Sequence, residues 1–355
     1  MPAEFSFLLT FLSALIVVLV STPIVKALAI KSGRVDEPNE RKVHTRPMVR
    51  LGGVAIFIGT IIAIGVAYGL GGFQELEQSQ VLPLIGVLGG SVAFFTIGLL
   101  DDLFELSAIS RLVLQFLIAG AAWLLGVRIE YLAIPFGDLF SVGLLSLPMT
   151  LVWLVGLVNA INWIDGLDGL AAGVSGIVAM MLFITILLTG SSAIALIAIA
   201  LAGAVLGFLR YNFNPAQLFM GDGGSYFLGF LVASISVVGL IKNETTATVL
   251  LPYLILAVPV IDMTNVVFSR ISSGASPFKP DNRHLHHRLL AAGFSQRMAV
   301  VFIYVLTIWT GSFALACTGL SNAGLYVAIA SIALAAVSWQ FWSRRELPKT
   351  QESNN

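Results

Sequence analysis

Charge is scarce in this sequence. Only 11% of its 355 residues are Asp, Glu, Lys or Arg, against about a quarter in an ordinary soluble domain. Cysteine is nearly absent. Cys317 is the single one, which excludes an internal disulfide and reads as a small packing residue within an apolar run. Period-two alternation is missing as well, which argues against an outer-membrane barrel. No polar stretch exceeds about thirty residues, so no soluble domain is expected between apolar segments. MPAE, before the first apolar run, offers no basic region, and that run is too long for a cleaved signal peptide.

What is present is hydrophobicity, at 57% of the chain. Runs of about 20 apolar residues recur along its length, as membrane-spanning helices require. They fall near 5–28, 51–70, 81–100, 108–127, 145–163, 170–189, 192–209, 225–241, 248–269, 298–317 and 323–342. The expected fold is therefore an all-α polytopic integral membrane protein with about eleven transmembrane helices. One transmembrane domain covers 1–343, followed by a short polar tail, 344–355.

The net charge of zero says nothing about partners, because the charges segregate by side. With loop 26–50 placed in the cytoplasm, eleven alternating spans put every Lys and Arg inside except Arg128 and Lys242. The chain is then expected to start outside and end inside. That orientation brings every unusual polar cluster to the cytoplasmic face: Asp101–Asp102 with Glu105, Asn159 to Asp168, GDGGS at 221–225, and the histidine-rich loop 270–298. A transporter or channel would place polar groups near the bilayer midplane, where only Asp262 lies deep. Polar groups gathered at one face point instead to a reaction at the membrane–cytosol boundary. The long outer loop, 128–144, has the punctuation of a small hairpin cap or a plain connector.

Each cluster has a chemical and a plain reading. Adjacent carboxylates Asp101 and Asp102 repel unless a cation or a proton offsets them; the plain alternative is an acidic helix end in water. Asn159, Asn162, Asp165 and Asp168 recur every three residues in NAINWIDGLDG. Gly166 and Gly169 make a continued helix doubtful, so part of the set is expected on an irregular turn lining a cavity. Their oxygens are hard ligands suited to Mg²⁺, or else simple caps for the next span. In GDGGS, Asp222 sits among glycines at a helix start, where backbone amides attract anions; alternatively Asp222 or Ser225 is an N-cap. His284, His286 and His287, beside Arg283 and Arg288, suit a pyrophosphate, and without a cysteine the zinc reading is weaker. The alternative is an interfacial helix on anionic lipid. Asp262 is either functional or a buried acid bonded to a neighbour such as Thr264 or to a facing helix.

In order, the strings PNERKVHTRPMVRLGG, the DD of GLLDDLFELS, NAINWIDGLDGLAAG, FMGDGGS and PDNRHLHHRLLAAGF resemble the polyprenyl-phosphate N-acetylhexosamine-1-phosphate transferase family (glycosyltransferase family 4), which includes phospho-N-acetylmuramoyl-pentapeptide translocase. HLHH looks like the branch that uses simple UDP-N-acetylhexosamines. One departure stands out: that branch carries a basic residue two before Arg111, and this chain has Ile109, which leaves Arg111 alone.

The resemblance implies transfer of N-acetylhexosamine 1-phosphate, foremost N-acetylglucosamine 1-phosphate, from the UDP-sugar to polyprenyl (undecaprenyl) phosphate, with release of UMP. It implies an active site at the cytoplasmic face of the plasma (inner) membrane, and no nucleic-acid partner. Mg²⁺ is the implied cofactor, with Mn²⁺ as a substitute, held by Asn162 and Asp222. Asp101 would deprotonate or orient the acceptor phosphate, with Asp102 in support. His284, His286, His287 and Arg283 would hold the pyrophosphate or sugar. Asn159, Asp165 and Asp168 would shape the surround of uridine and metal. Direct attack and a double displacement through an aspartate both fit, and an already ionised acceptor favours the first. A polytopic transporter or lipid flippase is the rival from another class. Small residues in the spans permit a homodimer.

Overall fold

The structure, a computed structural model, describes residues 3–34, 48–133, 139–189, 192–240, 246–274, 283–318, 320 and 322–345. Most of the two basic loops, at 35–47 with His44 and at 275–282, lies outside the described residues, as do Lys242 and the tail from 346.

Thirteen α-helices follow in order: α1 (Ala3–Lys31), α2 (Gly52–Gly69), α3 (Gln78–Phe104), α4 (Ala108–Leu124), α5 (Ser146–Ile164), α6 (Leu170–Thr189), α7 (Ser192–Asn212), α8 (Gly221–Leu240), α9 (Thr246–Ile255), α10 (Ala257–Ser272), α11 (Leu285–Ala291), α12 (Gln296–Cys317) and α13 (Ala323–Arg345). Every apolar run expected to span the membrane is helical. Among the described residues, nine helices are long and apolar enough to cross, or ten when α9 and α10 count as one broken span. The chain is thus a multi-pass membrane protein. Helix α4 is shorter, with 17 residues, about 25 Å of helix.

The span expected over 248–269 is bent. The helix breaks at Leu256, and its halves are bent by 73°. Pro259 explains the position: it has no N–H to give Ile255 and its ring crowds that carbonyl. In the outer loop, β1 (Tyr131–Ala133) and β2 (Leu139–Ser141) pair antiparallel, Tyr131 opposite Ser141, so the hairpin reading holds.

Helix α8 is the hub. Its Tyr226, Phe227 and Phe230 are fully buried, and α2, α3, α5 and α6 pack around it. Phe94 of α3 stacks on Phe230 at 4.6 Å. The approach of α3 to α8 depends on Gly98, where a Cβ would stand 2.3 Å from the Asp222 carbonyl oxygen. The periphery is the inverse. Leu8, Ile16, Val20 and Ile24 of α1 are exposed, and so are Leu325, Ile329 and Ile332 of α13. Such faces would aggregate in water and are at rest against hydrocarbon.

Candidate active site

Four helix ends meet at one side of the bundle. Helix α3 stops because Glu105 turns left-handed, at φ 52°. The chain reverses within three residues, and Ser107 starts α4 by accepting a hydrogen bond from the Ser110 amide at 3.1 Å. Asp101, 6% exposed, holds this reversal. Its Oδ1 accepts from the Leu106 amide at 2.8 Å, and its Oδ2 accepts from Arg111 Nη1. Arg111 also lies 3.5 Å from Asp222 Oδ2, so one guanidinium sits between two carboxylates.

Asp102 faces the other way. Its oxygens accept from the amides of Asp222 and Gly223, both at 2.9 Å. It therefore caps α8 from 120 residues away, a role that local sequence had offered to Asp222 or Ser225. Capping by Asp102 leaves the Asp222 side chain available. Asp222 Oδ1 accepts from Asn162 Nδ2 at 2.8 Å, and the same nitrogen reaches Ser225 Oγ at 2.9 Å.

The remaining ladder residues diverge. Helix α5 ends at Ile164 and α6 begins at Leu170, so Asp165 and Asp168 lie on an irregular turn. Asn159, still helical, donates to Gln115 Oε1 of α4 at 2.8 Å. Asp168 accepts from Asn214 Nδ2 and the Ala216 amide, both at 3.0 Å, and so anchors the segment before α8. Asn212 supports the same turn by accepting from the Gly169 amide at 3.1 Å. Asp165 is half-buried. Burial first, then the negative Asp102, push its carboxyl up to about 7, against the pull of Arg50.

The histidines form the opposite wall. His284 Nδ1 meets Asp262 Oδ2 at 2.9 Å, and Asp262 Oδ1 accepts from the Leu285 amide at 2.7 Å. The buried acid Asp262 is thus bonded to this loop and not through its own helix. His286 stacks on His284 at 5.7 Å, and His287 lies 4.2 Å beyond it. His286 is 2% exposed. Burial, then His287 and His284, lower its imidazole to about 4, so it is neutral at physiological pH. It abuts the ladder turn: a Cβ on Gly166 would stand 2.6 Å from His286 Nε2. Arg283 donates to Ser269 O at 3.0 Å and Ser269 Oγ at 2.6 Å. Arg270 lies over the Trp163 ring at 5.1 Å.

Beside the acidic cluster runs a groove of about 310 Å³ framed by α4, α5 and α10. Leu112, Phe116, Val152, Val155, Met263 and Val267 give it an apolar floor, while Arg111, Asn162 and Tyr226 make it polar at one end. Val152 is 67% exposed, so the groove opens sideways toward lipid. Gln115, one turn deeper than Arg111, is also part of its wall, and its Nε2 is buried without a partner among the described residues.

A hard divalent cation fits one place here. The Asp222 carboxylate and the Asn162 amide touch, and rotating that amide by half a turn presents its oxygen to the same space. Among the described residues no group of three His, Cys, Asp or Glu could hold a metal. A carboxylate and an amide suit Mg²⁺, which takes few protein ligands and fills its shell with phosphate oxygens and water.

Asp101, Arg111, Asn162 and Asp222 come together, then. Asp102, Asp168 and Asn159 make contacts that hold the elements in place, while Asp165 and the histidines border the same turn. Sequence reading had passed over Gln115, Asn212, Asn214 and Tyr226. A glutamine in an otherwise apolar span was the available signal for the first, and the Asn214–Pro215 turn pair for the third.

The sequence model of glycosyl transferase family 4 matches residues 84–240. The probable undecaprenyl-phosphate N-acetylglucosaminyl 1-phosphate transferase of Bacillus subtilis is 37% identical over 297 residues, covering 83% of this chain and 80% of the relative. The decaprenyl-phosphate N-acetylglucosaminephosphotransferase of Mycolicibacterium smegmatis is 36% identical over 326 residues, covering 85% and 79%. The undecaprenyl-phosphate alpha-N-acetylglucosaminyl 1-phosphate transferase of Salmonella typhimurium is 31% identical over 308 residues, covering 83% and 81%. The chain belongs to the polyprenyl-phosphate N-acetylhexosamine-1-phosphate transferases of glycosyl transferase family 4.

Proposed function

From that membership we propose that this chain transfers N-acetylglucosamine 1-phosphate from UDP-N-acetylglucosamine to a polyprenyl phosphate. An oxygen of the acceptor phosphate attacks the phosphorus that bears the sugar. The bond from that phosphorus to the oxygen bridging the donor's two phosphorus atoms breaks, the bridging oxygen leaves with UMP, and a polyprenyl diphosphate-linked sugar remains. The observation that carries this reading is the groove: an apolar channel open to lipid ends on one guanidinium, two carboxylates and an amide. The relatives' names also favour transfer over transport.

The residues divide the work. Both reactants are anions and repel each other. Arg111, alone because Ile109 replaces the basic residue of this branch, meets the acceptor phosphate at the polar end of the groove. Asp101 orients that guanidinium and the reversal that carries it. An acceptor phosphate already ionised needs no strong base, so direct attack is the simpler course. Asp102, with both oxygens on the α8 amides, is a positioning residue and not a nucleophile. Asn162 and Asp222 would hold Mg²⁺, or Mn²⁺ in its place, which supplies charge neutralisation on the donor diphosphate and the leaving UMP. His284, His287 and Arg283 face the diphosphate and sugar from the basic wall, with neutral His286 as their packed support. Asn159, Asp165 and Asp168 shape the uridine side. We place eleven spans in the plasma membrane, the N-terminus outside and the site in the cytoplasm, on the distribution of Lys and Arg.

The test is direct. The protein purified in detergent, given UDP-N-acetylglucosamine, Mg²⁺ and polyprenyl phosphate, is expected to release UMP and form a lipid-linked sugar, and to stop when EDTA is added. No UMP with any UDP-N-acetylhexosamine overturns the reading. UMP release and enzyme labelling without lipid overturn direct attack alone.

A further inference from the structure

Asp262 has no role in the reaction as described, yet it is 7% exposed and both its oxygens are engaged by the histidine loop. It stands on α10, next to Met263, which lines the acceptor groove. Its Oδ1 takes the Leu285 amide and so starts α11, whose first residue follows His284. Its Oδ2 takes His284 Nδ1. A carboxylate only accepts. Nδ1 therefore carries the hydrogen, and Nε2 is the nitrogen left to meet a ligand. The groups around the ring are Asp262 from α10, the edge of Trp163 from α5 at 5.9 Å, Arg270 behind that indole, and His286 and His287 from α11.

We propose that Asp262 is a positioning residue for donor binding, which fixes the tautomer and direction of His284 so that Nε2 faces the diphosphate and sugar of the UDP-sugar. This rests on the function proposed above. It accounts for a carboxylate deep in an apolar helix, where an unpartnered acid is costly, and for its bidentate engagement. A purely structural cap would need only the Leu285 amide.

Asp262→Asn separates the two roles. Oδ1 can still accept from Leu285, but the remaining atom is then an amide nitrogen that donates. His284 Nδ1 must give up its hydrogen to receive it, and Nε2 becomes the protonated nitrogen. The expected result is a KM for UDP-N-acetylglucosamine raised about tenfold, as for loss of one charge-assisted contact, with the KM for polyprenyl phosphate unchanged. In ¹⁵N spectra of histidine-labelled protein, the His284 pattern should invert between its two nitrogens. In a His284→Ala background, Asp262→Asn should change the donor KM by less than twofold. Asp262→Glu, which keeps a carboxylate, should recover part of the lost affinity.

An unchanged donor KM, an unchanged tautomer, or a full Asp262→Asn effect in the His284→Ala background each overturns the inference. Should Asp262→Asn fail to fold, the tautomer of wild-type His284 decides: a hydrogen on Nε2 with Nδ1 bare overturns it. Failure of the proposed function is seen separately, as wild-type protein that releases no UMP.

Discussion

The two walls of the site are built on different principles. The acidic wall is assembled from helix ends packed so closely that side chains of one helix reach the end of the next. Asp102 of α3 holds two amides of α8, and Gly98 allows that approach. Asn162 of α5 then closes on Asp222. The basic wall hangs from α10 by side chains: Asp262 to His284, and Ser269 to Arg283. Its helix, α11, has seven residues and is too short to stand alone. The difference teaches that the acidic side is preorganised by the core, as electrostatic stabilisation would require, whereas the basic side is positioned through a few side-chain contacts.

The comparison is most exposed to failure at Asp222. Asp222→Ala is expected to cut turnover by at least about a hundredfold and to abolish the dependence of UDP-sugar binding on Mg²⁺, read by titration calorimetry with and without metal. Near-normal turnover would remove the acidic wall from the chemistry. Next comes the seam between the walls. Gly166→Ala drives a Cβ against His286 Nε2, and turnover should fall about tenfold with UDP-sugar affinity changing alongside it. Full activity would mean that the histidine loop is free to move away. Asp102→Ala probes rigidity itself: losing the α8 cap should lower stability by about 2 kcal/mol, seen as a lower unfolding temperature in detergent, together with weaker activity.

The smallest effect is in pH. Asp165 has its carboxyl raised to about 7, so its contribution to stability is complete below its unfolded value near 3.8 and is lost as pH rises through 7. His286 is lowered to about 4 from 6.5, so its contribution is complete above 6.5 and is lost as pH falls through 4. Thermal unfolding from pH 4 to 8 should show Asp165→Asn losing less stability than the parent across pH 4–7; parallel curves would mean that the turn at 165–169 is wetter than its packing suggests.

Much of this was legible in the sequence. Apolar runs of membrane length could only become helices, because lipid offers backbone groups no other partner, and Gly166 with Gly169 announced the end of α5. The short strings also named Asp101, Asn162 and Asp222, and the family pattern around Ile109 named Arg111. The rest depended on contacts between distant segments. That Asp102 caps α8 and not its own helix, that Asp168 holds Asn214, and that Gln115 meets Asn159 across two helices follows from packing, which no local spacing encodes. The break at Leu256 had its cause in plain view at Pro259, but hydropathy alone reads a bent span as a straight one.

The sideways opening of the groove at Val152 has a kinetic meaning. An acceptor that enters from the bilayer is found by a search in two dimensions. Saturation is then governed by its mole fraction among lipids or detergent and not by its molarity. Diluting the acceptor within micelles should slow the enzyme even when the amount in the tube is constant, whereas the nucleotide arrives from bulk water and obeys ordinary concentration. One catalytic event thus joins a surface reaction to a solution reaction.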